Sequence, residues 1–244
     1  MAQVINTNVG SLFAGAALNK SAIALQTAQQ RLSSGLRINS SKDDATGMAT
    51  ATTYDTQIRG TNVAIRNAND GISAAQTADG LLGQVVENLQ RMYEINVQTV
   101  GVGSTESAAL ATENTRILGL PGLTTSLPAS VVNDSNGGVY TMTGAVPTVS
   151  STGGTEANSV ITGDITAVIA ARASFGSDMS SLASAVATMQ TASVNLSASF
   201  SRIMDTDYAA ETTAMTRNNI LQQAGTAVLA QANQTPNTVL SLLR

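Results

Sequence analysis

Asp205, Asp207 and Glu211 gather three carboxylates in a short stretch, the oxygen chemistry of a calcium loop. Such a loop needs further oxygen ligands and a glycine at a set place. Neither is present, so these residues suit the start of a helix better. Gly101-Val102-Gly103-Ser104-Thr105 has the small residues of a phosphate-binding turn but no following lysine and no preceding strand. It fits a corner between helices. Asn39-Ser40-Ser41, Asn133-Asp134-Ser135 and Asn195-Leu196-Ser197 match the glycosylation sequon, a pattern short enough to arise by chance. The chain has no cysteine and no histidine. That removes thiol nucleophiles, disulfides, imidazole acid–base chemistry and most zinc sites. A Ser–His–Asp triad cannot be built. No catalytic, cofactor-binding or metal-binding set is expected.

With catalysis set aside, the helical patterning carries the information. From Ile58 to Val100 apolar residues keep a seven-residue beat. Ile58, Ile65, Ile72, Val86, Tyr93 and Val100 fall on one seam position, with Asp79 the single miss, and Ala68, Ala75, Leu82 and Leu89 on its companion. Towards the C-terminus Met179, Val186 and Phe200 take one position, and Leu182, Met189, Leu196 and Ile203 the other. Leu18, Leu25 and Leu32 repeat the spacing near the start. Such repeats specify bundled helices with left-handed supercoiling. Roughly forty helical residues extend about 60 Å, more than a compact core from this chain can enclose. The patterning therefore predicts a rod built to assemble. Asp79 is expected to set helix register or to lie at the seam's edge.

Composition agrees. The residues are 43% hydrophobic, but only 3% aromatic and without tryptophan. Alanine supplies much of the apolar content, so each helix pair buries a thin core at roughly 25 cal/mol per Å². Twelve basic and sixteen acidic residues leave a net charge of −4, which argues against nucleic acid. No basic leader with an apolar core is visible near the start. Nor does any stretch approach the roughly 20 apolar residues of a membrane span.

Along the chain, a helix is expected from Leu12 to Ser33, stopped by Gly35. A turn-rich linker, Gly35–Asp44, follows, and Asp43 or Asp44 caps a long helix towards Val100. A shorter helix begins at Ser104 or Thr105 and ends near Gly119–Gly122. Residues 121–164 read as an exposed β-hairpin or loop patch, with short runs at Val139–Thr143 and Val146–Ser150. Asn136-Gly137 is the turn signal. Helix returns from about Asp164 to Ile203, breaks at Asp205–Asp207, and resumes to about Asn233, limited by Pro236.

Several ordered motifs resemble bacterial flagellin. At the N-terminal end they are Met1–Asn8, Arg31-Leu-Ser-Ser-Gly-Leu-Arg-Ile-Asn39, Lys42-Asp-Asp-Ala45 and Arg66-Asn-Ala-Asn-Asp-Gly-Ile-Ser73. At the C-terminal end they are Ser201–Ala209, Ile220–Thr226, Ala230–Asn233 and Val239–Arg244. The resemblance covers roughly residues 1–118 and 172–244. It implies a mainly α fold: long antiparallel helices forming an inner coiled-coil domain, 1–43 with 206–244, and a helical rod, 44–205. The rod carries a small β-hairpin insert at about 121–164.

The resemblance further implies a structural, non-enzymatic subunit that polymerises into the extracellular flagellar filament, the propeller for swimming. Alternatives are a hook–filament junction protein or a secreted adhesive or immune-receptor ligand. Its partners would be copies of itself, an export chaperone, cap and junction proteins, and a vertebrate Toll-like receptor. Export would use the flagellar type III system without a cleaved signal peptide. Gln90, Arg91 and Glu94 match the receptor-contact stretch, in which Ile95 replaces the usual leucine. Assembly seams are assigned to Leu18, Leu25, Leu32, Ile58, Ile65, Ile72, Leu82, Leu89, Leu182, Met189, Leu196, Ile203, Leu221 and Val228. Phe200 stands where the family often has arginine and extends the apolar seam.

Overall fold

A computed structural model describes residues 7–98, 105–124, 130–132, 138–151 and 157–242. The elements are α1 (Val9–Ser34), α2 (Ala45–Gln98), α3 (Thr105–Leu118), a short α4 (Pro121–Thr124), β1 (Ser130–Val132), β2 (Val139–Thr141), α5 (Asn158–Met204) and α6 (Tyr208–Leu242). They form two compact units, Met1–Tyr54 with Ala198–Arg244, and Asp55–Ser197. The fold is mainly helical with one two-stranded antiparallel sheet, as expected from the sequence.

In the second unit α2 and α5 run antiparallel, since Asn96 bonds Asn158 while Asp79 pairs with Arg172. One buried row of α2 follows a three–four alternation: Ala64, Ala68, Gly71, Ala75, Ala78, Leu82, Val85, Leu89 and Met92. On α5 one row is Ile161, Val168, Phe175, Leu182 and Met189, all buried. Its companion is Asp164, Ala171, Asp178 and Ala185.

The expected seam is buried at Val86 and along its companion row Ala68, Ala75, Leu82 and Leu89, whereas Ile65 and Ile72 are half-buried and Tyr93 exposed beside smaller or neighbouring buried residues, Ala64, Gly71 and Met92. At Ile65 and Ile72 residue size is the reason. A Cβ at Gly71 would lie 2.9 Å from Val131 and 3.3 Å from Leu182, so the small row admits close approach. The larger isoleucines flank it, half-buried. Asp79 lies in the same flanking row, opposite Arg172. Arg172 Nε donates to Asp79 Oδ1 at 2.7 Å and Nη2 to Oδ2 at 3.3 Å, a two-pronged pair at the edge of the apolar seam.

Helix α3 folds back on α2 through polar groups as well as apolar ones. Asn88 Nδ2 donates to Asn114 Oδ1 at 2.8 Å in the buried layer, and Arg91 reaches Glu106 at 3.2 Å. Strand β1 pairs with β2 in the register Val131 to Tyr140. The expected turn at Asn136-Gly137, the corner at Gly101–Ser104 and residues 1–6 of the opening motif lie outside the described residues. Two expectations for the insert are corrected. Strand β2 ends at Thr141, and Val146–Ser150 forms no strand. The amides beyond β2 go to side chains of α5 instead: Thr143 and Gly144 to Asp178, Ser150 and Ser151 to Asp164. Nor is the patch merely superficial, for Val131, Met142 and Ser151 are buried. Helix α5 starts at Asn158, before Asp164.

In the first unit α1 and α6 pair antiparallel. Tyr208 Oη donates to the Leu32 carbonyl at 3.1 Å, and Asn8 Nδ2 to the Ala232 carbonyl at 2.8 Å. Gly35 ends α1 at φ 72°, the left-handed conformation glycine tolerates. Its amide returns to the Arg31 carbonyl at 2.8 Å. The linker then joins the end of α5: Arg37 donates its amide to the Met204 carbonyl and its guanidinium to that of Ile203. These carbonyls belong to the last turn, where intrahelical donors run out. Ile38, Ala51 and Met204 make a small core, with Phe200 packed against it.

Pro236 does not end α6, which continues to Leu242. A proline's φ suits a helix, and its defect is the missing N–H for the carbonyl four residues earlier. That carbonyl is Ala232, and Asn8 supplies a donor to it. Asn8 also caps α1 by accepting from Ser11 N at 3.1 Å. Asn8→Asp keeps the cap and loses the donor, whereas Asn8→Ala loses both. Urea unfolding followed by helical circular dichroism should show a cost of about 1 kcal/mol for aspartate and about 2 for alanine.

Candidate functional site

Three of the motifs that carry the family resemblance, Arg31–Asn39, Lys42–Ala45 and Ser201–Ala209, hold the connectors of the first unit. Asp43 Oδ2 accepts from the amides of Asn39 at 3.2 Å and Ser40 at 3.1 Å. Asp44 Oδ1 accepts from Gly47 N at 2.9 Å and caps α2. These amide bonds, first those of Asn39 and Gly47 respectively, hold both carboxyls below the ordinary aspartate value. Asp207 Oδ1 takes the amides of Ala209 and Ala210 and so caps α6. Asp205 accepts from Ser201 Oγ, and Glu211 pairs with Arg31 at 3.6 Å. The three carboxylates first considered as metal ligands thus each have a structural partner. Among the described residues no group of three acidic side chains is placed to hold a metal ion.

The predicted seam residues fall into three classes. Leu82, Leu89, Leu182 and Met189 are buried within the second unit. Leu18, Leu25, Leu32, Ile58, Ile65, Ile72, Leu196 and Ile203 are half-buried, while Leu221 and Val228 are exposed. In the receptor-like stretch Gln90, Arg91 and Glu94 are exposed, with Arg91 held by Glu94 at 3.1 Å and by Glu106. Ile95 is buried, only 4% exposed.

The α1–α6 pair buries little of its apolar surface. The buried residues of α1 are Ala14, Ser21 and Ala28, all small. Facing them, α6 uses Met215, Asn218, Gln222, Gly225 and Leu229, all half-buried. Gly225 gives close passage to Leu18, whose Cδ1 lies 3.2 Å from where a Cβ would stand. Outside these rows Val9, Leu12, Phe13, Ile23, Tyr208, Ile220, Leu221 and Val228 are each more than half exposed. Sequence reasoning missed Val9, Leu12, Phe13, Ile23 and Ile220. Their signal was an apolar residue off the Ala14/Ser21/Ala28 and Leu18/Leu25/Leu32 rows.

Several of these residues line a groove of about 550 Å³ on the pair, bounded by Phe13, Leu18, Lys20, Leu221, Gly225 and Val228. Its chemistry is shape and apolar contact, with the Lys20 amine at the rim. Exposed apolar side chains clustered in this way leave surface that contact with other protein could cover. Changing Leu221→Ser together with Val228→Ser should leave unfolding free energy within about 0.5 kcal/mol per site. Self-association measured by sedimentation should weaken about tenfold or more, because each side chain would bury about 1.5–3 kcal/mol on contact.

Comparison with known proteins accords with this arrangement. Residues 5–120 match the bacterial flagellin N-terminal helical region, and residues 159–243 the bacterial flagellin C-terminal helical region. A flagellin of Serratia marcescens is 33% identical over 352 residues, with 100% of both chains covered. A flagellin of Bordetella bronchiseptica is 31% identical over 391 residues, again with 100% of both covered. A flagellin of Salmonella typhimurium is 55% identical over 107 residues, which are 44% of this chain and 22% of that protein. With both terminal regions matched and full-length relatives above thirty percent identity, this chain belongs to the bacterial flagellin family.

Proposed function

We propose that this chain is the subunit of a flagellar filament used for swimming, and that its α1–α6 pair is the face covered by neighbouring copies. One observation carries the reading: the pair leaves eight large apolar side chains more than half exposed while burying three small ones. A helix pair whose fully buried α1 residues are only alanine and serine gains most of its apolar burial from neighbours. Residues 1–43 with 206–244 would form the inner layer, and 44–205 the rod with its insert. Contacts that relate one copy to the next without closing a ring generate a helical polymer. Because the terminal pair has so thin a core, its full ordering would be coupled to assembly.

This role places the working protein outside the cell. Export by the flagellar type III system, a chaperone on the C-terminal helix, and cap and junction proteins complete the proposal. Among the described residues no helix is long and apolar enough to cross a membrane. A second reading rests on the exposed Gln90, Arg91 and Glu94, with Arg91 held in place by two acids. These residues would contact a vertebrate Toll-like receptor, while buried Ile95 supports the helix beneath them. Arg91→Ala should lower signalling in a receptor reporter assay; an unchanged response rejects the contact.

Seeded polymerisation of purified protein followed by electron microscopy tests the main reading. Long filaments from the full chain, lost on trimming either end, are the expected result. Persistent monomer, or short caps on hook ends, would assign a junction role instead.

A further inference from the structure

Met142–Ser151 runs beside α5 without a β-ladder, and its amides converge on two carboxylates of that helix. Asp178, fully buried, accepts from Thr143 N at 2.9 Å, Gly144 N at 2.8 Å, Thr143 Oγ1 at 2.8 Å and Tyr140 Oη at 2.9 Å. Asp164, also buried, accepts from Ser150 N at 3.0 Å and Ser151 N at 2.8 Å. The two aspartates stand two heptads apart on one row of α5, so they grip both ends of the segment. Between the grips, Val146 and Val149 rest half-buried on the core, and Gly144 lies so close to Phe175 that a Cβ would overlap the ring.

We propose that Asp178 is the acid-released end of a clamp whose other end is Asp164, and that protonation of Asp178 frees its end of Met142–Ser151 from α5 while the helices stay folded. An ionised carboxylate is an acceptor with no donor of its own, which suits a nest of amides. The protonated group brings an O–H that those amides cannot accept, and it loses the strength of charge-assisted bonds. The α2–α5 core is packed from apolar side chains, and its flanking ion pair, Asp79 with Arg172, is not in the clamp. Among the described residues no cation forms an ion pair with either aspartate. The strands and the segment itself have no charged side chain among their described residues. Tyr140 is the titratable contact of Asp178, and Arg172, between the aspartates on α5, is engaged by Asp79 of α2.

Burial opposes the charge of Asp178, but the amides of Gly144 and Thr143 and the two hydroxyls outweigh it and hold its pKa below the ordinary value. A folded value below the unfolded one, about 3.9, gives a contribution that is complete above about pH 4. It is lost as pH falls through the folded value. The inference does not depend on filament formation.

The chain has no cysteine, so Thr148→Cys, at an exposed position in the segment, allows a single spin label in the full-length protein. In acid below about pH 4, label mobility should rise while far-ultraviolet circular dichroism still reports helix. Asp178→Asn should mobilise the label at neutral pH and speed exchange of the Thr143 and Gly144 amides about tenfold or more. Coincident loss of helix and immobilisation at every pH overturns the clamp, as does an immobile label in Asp178→Asn. Should that variant fail to fold, Asp164→Asn reads the other end, where unchanged exchange at Ser150 and Ser151 overturns it equally.

Discussion

Close approach of long helices through rows of small residues is the constraint on which the other features rest. Alanine and glycine bring backbones near one another but bury little area per residue. In the second unit the deficit is made up by a third helix and by large side chains on α5, with Phe175, Leu182 and Val168 fully buried. In the first unit the α1–α6 pair has no such supplement. Its small inward row leaves large apolar residues exposed, and the proposed assembly face rests on them.

Polar groups do the aligning that uniform alanine rows cannot. A heptad of small residues tolerates register slips, since one alanine resembles the next. Asp79 with Arg172, Asn88 with Asn114, and Asn96 with Asn158 each satisfy their hydrogen bonds at a single alignment. Register specification by a buried or flanking polar group is well attested in coiled coils. Asn8 extends the principle by combining a helix cap with a tie to the carbonyl that Pro236 leaves without its usual donor. Here a helix-breaking residue and its remedy lie 228 positions apart in the chain.

Much of the architecture was legible in the chain because local chemistry wrote it there. Gly35 stopping α1, Asp44 capping α2 and Asp207 capping α6 are decided within four residues of each site. The hairpin partners around Val131 and Tyr140 were visible through their β-branched and aromatic character. Ala68, Ala75, Leu82, Val86 and Leu89 of α2 are buried as the heptads predict, but at Ile65 and Ile72 hydropathy favours isoleucine whereas packing buried the neighbouring Ala64 and Gly71, which let another element come close. Val146–Ser150 looked like a strand for a similar reason: its β-favouring side chains are real, but the amides at its end were claimed by Asp164.

Periodicity, caps and composition by themselves determined that this is a helical chain with amphipathic ends, a short β insert and no imidazole or thiol chemistry. Those properties depend on residues near one another in sequence, and the absence of histidine and cysteine needs no structure to interpret. The tertiary structure decided which face of each helix turns inward, which aspartates grip the insert, and which apolar residues remain uncovered. These outcomes depend on partners far along the chain: Asn8 on Ala232, Asp79 on Arg172, Thr143 on Asp178. A one-residue difference in helical phase turns a side chain by about 100°, enough to exchange a core position for an edge, and only the approach of the second helix selects between them.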